Sequence, residues 1–83
     1  HNNVKARLLR LQRVADAARA VDAMLWLAPD AAGLWREAGL MHGHQNNLRR
    51  AQSALEKALA LGLPERQRRE AEDALSRLRA RMN

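Results

Sequence analysis

Few residues of this chain could do covalent chemistry. It holds three histidines, two serines (Ser53 and Ser76) and no cysteine. His42 and His44 suggest a metal, but residues two apart on a helix point to different faces and cannot grip one ion as an i, i+4 pair does. No run of Asp or Glu beside them supplies further ligands. A serine nucleophile needs a base within reach, and no motif flanks Ser53 to suggest one. Asp16, Asp22, Asp30, Glu37 and Glu56 are spaced like solvated helix faces. The expectation is no catalytic residue, no metal and no cofactor.

Binding chemistry is better supplied. The formal net charge is +6 over 83 residues, and arginine outnumbers lysine 13 to 2. Such an excess suits nucleic acid or an anionic surface, and Arg49, Arg50, Arg66, Arg68 and Arg69 could form one patch. Glu65, Glu70, Glu72 and Asp73 interrupt that patch and argue against nucleic acid. An Arg- and Ala-rich, Lys-poor composition is also what a GC-rich, bacterial coding bias produces. The two aromatic residues are Trp26 and Trp35. Trp35 reads as packing between helices, whereas Trp26 lies off the main apolar stripe, where an exposed ring could anchor a partner.

The elements that would position these groups are helices. Ala and Leu dominate the apolar residues, and there are three valines, no Ile and no Thr. That disfavours strands and favours helix. Five helices are expected: Asn2–Gln12, Val14–Leu27, Ala31–His44, Leu48–Leu61 and Pro64–Arg81, with a break at Gln12-Arg13. Asp30 is placed to cap the third. Gly39, in mid-helix, implies close approach of a neighbour. Gly62 suits a C-cap and Pro64 the first turn that follows. The last helix carries a thin seam, Ala71, Ala74, Leu75, Leu78 and Met82, on a charged body, which suits the end of a stack. No apolar run reaches the roughly 18 residues of a membrane span, and the N-terminus has no signal-peptide pattern. Together these suggest a cytoplasmic protein. The absence of an initiator Met leads us to expect a piece of a longer protein.

A shift of 34 residues brings Val14 onto Leu48, Ala17 onto Ala51, Val21 onto Leu55, Met24 onto Ala58, Leu25 onto Leu59 and Leu27 onto Leu61. A fixed period of this length in a helical pattern marks stacked helix-turn-helix units. Trp35, Ala38-Gly39, Ala51, Leu55 and Ala58 stand at the spacing of the tetratricopeptide repeat signature, and the chain resembles that family. In the first copy Ala17, Val21, Met24 and Pro29 fit, but Lys5 stands where a small residue is usual. Leu63-Pro64 is out of phase with Pro29.

The resemblance implies an all-α, right-handed superhelix of two antiparallel repeats, 2–30 and 31–63, closed by a capping helix, 64–82. NNVKARLLRL with MLWLAPD also resembles the C-terminal repeat region of bacterial SirB-type proteins, in which a transglutaminase-like domain precedes the repeats. In such stacks the first helix of each pair lines the concave face. Ala6, Leu9 and Arg10, then Arg36, Leu40, Gly43 and His44, would form a shallow groove with basic edges. It would suit an acidic peptide or an upstream domain of the same chain. Chaperone-type repeats clamp a C-terminal carboxylate; here Asn2, Ala6, Glu37, Gln67 and Ala71 occupy those places, and Glu37 would repel it. Three further readings stand beside the groove: an arginine patch, a structural appendage of an enzyme, and a homodimer through the uncovered first helix.

Overall fold

The computed structural model describes residues 2–82; of these, the side chains of 2–6 and of Leu8 lie outside the description. The chain forms four helices: α1 (Asn2–Leu27), α2 (Ala32–His44), α3 (Leu48–Leu61) and α4 (Glu65–Met82). There is no strand among the described residues. The all-α, repeat-type architecture expected from the 34-residue pattern is the one formed.

One element differs. The expected break at Gln12-Arg13 is absent, and α1 runs unbroken for 26 residues, about 39 Å at 1.5 Å per residue. The same shift of 34 explains why. It lays Gln12 on Asn46, which turns the chain between α2 and α3 with φ 64°. Asn enters that left-handed region readily, while Gln and Arg are good helix formers that avoid it. The first copy of the pattern therefore lacks its turn, and residues 2–27 make one rod in place of a hairpin.

The remaining junctions follow local chemistry. Trp35 Nε1 donates to the Pro29 carbonyl at 2.8 Å, which ties α2 to the turn before it. Asp30 does not cap α2: Ala31 holds the cap position, and no side chain bonds the helix start. Gly62, at φ 100°, ends α3 and donates its N–H to the Ala58 carbonyl at 3.1 Å. The Pro64 carbonyl accepts the first α4 bond, from Arg68 at 2.8 Å.

Two apolar clusters hold the helices. Ala51 and Leu55 of α3 meet Ala71, Leu75 and Leu78 of α4. Val21 and Leu25 of α1 meet Ala38 of α2 and Ala54 of α3, flanked by Leu34, Trp35 and Met41. Leu55 is fully buried, worth roughly 2–3 kcal/mol of transfer free energy. Gly39 is where α2 and α3 come closest. A Cβ there would sit 2.6 Å from Leu55 Cγ and 3.2 Å from the Ala51 carbonyl oxygen. The missing side chain is what lets the two backbones approach, as its mid-helix place suggested. Arg79 reaches from α4 to Glu56 of α3 at 3.1 Å, and Arg81 donates to Asn46 Oδ1 at 2.5 Å. Met82, expected on the α4 seam, is exposed past the last contact.

Candidate functional site

A cleft of about 750 Å³ opens between the C-terminal half of α1 and the start of α3, with α2 as its floor. Helical spacing builds each wall. Asp22, Leu25 and Trp26 lie three and four apart on one side of α1, and Trp35, Ala38 and His42 repeat that spacing on α2. Arg49, Arg50, Ser53 and Ala54 face them from the first turns of α3. Ala38 and Ala54 are buried and small, so the floor is apolar and their short side chains leave the space above it open.

The polar groups divide by side. On the α1 side, Asp22 Oδ1 lies 3.5 Å from His42 Nε2. His42 is 6% exposed, and its Nδ1 has no hydrogen-bond partner. On the α3 side, Arg49 and Arg50 are exposed, and neither forms an ion pair among the described residues. They stand in the first turn of α3, whose cap residue Asn47 makes no side-chain bond to the helix start. The positive end of that helix adds to their charge. Trp26, 88% exposed, forms the outer rim opposite. One lip is therefore cationic, one wall aromatic, and one corner carries Asp22 with His42.

The other arginines of the suggested patch are committed locally. Arg68 bonds Glu65 at 2.8 Å and Glu72 at 3.0 Å, and Arg69 lies 3.5 Å from Glu65. The hydrogen bond to Glu65, then the charges of Glu65 and Glu72, raise the Arg68 pKa above its ordinary value. Arg66 is exposed on the same helix.

The residues expected to line a concave groove do not line this cleft. Ala6 lies outside the described side chains. Leu9 and Arg10 are exposed on the part of α1 that precedes the expected break. Arg36 is half-buried with its Nε unpartnered, and Leu40 is half-buried. A Cβ on Gly43 would lie 3.9 Å from both Ala51 and Leu78, so Gly43 looks into the α3–α4 packing. His44 is exposed while His42 is buried, which separates the two histidines. Of the packing positions, Val21, Ala38, Gly39, Ala51, Leu55 and Ala58 are buried, and Ala17 and Trp35 are half-buried. Met24 is the exception at 48% exposure, because no helix lies on its side of α1.

The fold also brings Ser53 into the cleft that holds His42 and Asp22, which their separation in sequence does not suggest. No hydrogen bond joins Ser53 to His42 among the described residues. No group of three His, Asp or Glu side chains among the described residues could hold a metal ion. No described helix is long and apolar enough to cross a membrane.

Sequence reasoning missed the cleft as a unit, though one signal was present. Arg49 and Arg50 have no acidic residue three or four positions away in either direction, whereas Arg68 and Arg69 have Glu65, Glu72 and Asp73 at those spacings. Arg49 and Arg50 therefore have no acid of their own helix within pairing reach, whereas Arg79, which also lacks one, pairs with Glu56 of α3. A family model described as a tetratricopeptide repeat matches residues 4–83. No curated protein and no solved structure matches the chain.

Proposed function

Because the chain belongs to the tetratricopeptide-repeat family, a family of protein-interaction scaffolds, we propose that it binds a peptide segment carrying acidic residues beside a large apolar one, in the cleft between α1 and α3. One observation carries this reading: an aromatic-walled, apolar-floored cleft of about 750 Å³ is edged by two arginines that pair with no acid among the described residues. That volume fits two or three side chains of an extended or helical segment, within the ordinary range of ligand pockets. The apolar side chain packs against Leu25, Trp26 and Trp35. The acid lies on the α3 side, where Arg49 and Arg50 offer paired N–H donors. Asp22 repels a second acid from the α1 side and so sets the polarity in which the segment lies.

A protein partner is favoured over nucleic acid. Arg68 and Arg69 are paired with Glu65 and Glu72, which leaves two unpaired cations at the cleft and no extended stripe through them. The test is peptide display against this domain, read out by tryptophan fluorescence, since both indoles line the cleft. Selected peptides should carry Asp or Glu within a few positions of Leu, Phe or Trp. Their affinity should fall tenfold or more in an R49A/R50A double variant and stay level in R68A. Selection of peptides without acids, or binding indifferent to R49A/R50A, would sink the reading.

A further inference from the structure

The side of α1 away from the cleft carries a second feature. Leu9, Arg13, Ala17, Ala20, Met24 and Leu27 are three or four residues apart and share one face, turned about 160° from Asp22 and Trp26 at 100° per residue. All are exposed except half-buried Ala17; Leu9 is 53% and Leu27 89% exposed. Through the 34-residue shift, Ala17, Ala20 and Met24 correspond to Ala51, Ala54 and Ala58, and all three of those are buried. What borders them on α3 includes α2, whose residues 36–44 are the counterpart under the same shift of residues 2–10. In the first copy that covering segment is not folded back. It is the outer half of the same unbroken helix and cannot reach its own face.

We propose that a second copy of this chain covers it: two α1 helices pair antiparallel about a two-fold axis, each laying Leu9 and Arg13 over the Met24–Leu27 end of the other's face. The face is self-complementary in this arrangement. With Ala17 of one copy opposite Ala20 of the second, small residues meet at the axis, where helices come closest. Leu9 then falls within one residue, about 1.5 Å along the axis, of Leu27 of the second copy. Arg13 lies across from Met24, whose apolar surface its aliphatic stem can cover.

Charge fixes the direction. The amino-terminal half of α1 carries Arg7, Arg10 and Arg13 and no acid, and the last turn carries no base. Alone, the helix has its cations at the positive end of its own dipole. Antiparallel pairing moves them beside the negative end of the second copy, with Arg10 level with Leu27. A parallel pair would stack the arginines on each other. The contact lies on the other side of α1 from the peptide cleft and does not depend on that reading.

Light scattering from about 10 µM to 1 mM tests the proposal on the parent chain and on A20R, M24R and R49A. The parent and R49A should dimerise alike, while A20R, by bulk at the axis, and M24R, by repulsion from Arg13 of the second copy, should weaken the dimer tenfold or more with unchanged far-UV helicity. Both seam variants replace exposed residues with helix formers, so either serves if the other folds poorly. Because the chain has no cysteine, oxidising a mixture of A17C and A20C chains reads the register; the mixed disulfide should exceed both symmetric ones. A monomer throughout the range, as expected if a different protein or a preceding segment of a longer chain covers α1, would overturn the proposal. So would a dimer indifferent to A20R and M24R, or a symmetric disulfide that outweighs the mixed one.

Discussion

The C-terminal half of α1 and the whole of α3 are written in the same pattern and end in different surroundings. Val21 corresponds to Leu55 and Met24 to Ala58. On α3, both positions are closed off: Leu55 and Ala58 are fully buried. On α1, Val21 is buried against α2, but Met24 is half exposed. An amphipathic stripe states that a helix face needs cover. Whether it has cover depends on what stands next to it, and α1 has a neighbour on one side where α3 has neighbours on two.

The largest contrast should come from truncating the matched pair Leu55 and Val21. Leu55→Ala removes the one large side chain with no exposure, between Gly39 and the α4 cluster. It should cost about 2–5 kcal/mol, as buried Leu→Ala changes do. Val21→Ala deletes less volume at the edge of the assembly and should cost less than about 2 kcal/mol. Urea unfolding followed by far-UV circular dichroism measures both. Equal losses would show that α1 is held as firmly as α3 and would break the contrast.

Most of the fold was legible because helical spacing and the 34-residue shift are local or repetitive signals. The Gly39 approach was legible because a glycine in mid-helix has little other reason to be there. The continuity of α1 was not: a repeat pattern carries over the expectation of a turn, while turning depends on single residues such as Asn46, which Gln12 does not replace. The cleft was legible least. It forms between Trp26, Trp35 and Arg49, drawn from three helices whose relative placement no spacing states. The groove expected from first helices, with Leu40 and His44, is a different surface from this cleft.

Two glycines of α2 sharpen the comparison at the level of single atoms. Gly39→Ala gains about 1 kcal/mol of helix propensity, but its Cβ would overlap Leu55 Cγ at 2.6 Å and press the Ala51 carbonyl at 3.2 Å. Leu55 is fully buried and has no room to turn away, so overpacking of about 1–3 kcal/mol or more should prevail. Gly43→Ala meets nothing closer than 3.9 Å, so the propensity gain should survive as up to about 1 kcal/mol of added stability. Opposite signs of the shift in unfolding midpoint, one turn apart on one helix, are the expected outcome. Two losses would mean that α2 and α3 also touch closely at Gly43.

The smallest effect should come from Met24→Ala, which makes the α1 position match Ala58 of α3. On α3 this position is closed and alanine is what fits; on α1 it is open to water. Removing an exposed methionine side chain deletes little buried area, and alanine is the better helix former by a small margin. Unfolding of dilute protein, with any α1 pair dissociated, should therefore move by less than about 0.5 kcal/mol. The same change at high concentration is informative in the other direction. If Met24 lies beneath Arg13 of a second copy, M24A weakens association while leaving the dilute unfolding curve in place. A loss of stability in dilute solution would instead mean that Met24 packs within its own chain, and that the second face of α1 is covered from inside the molecule.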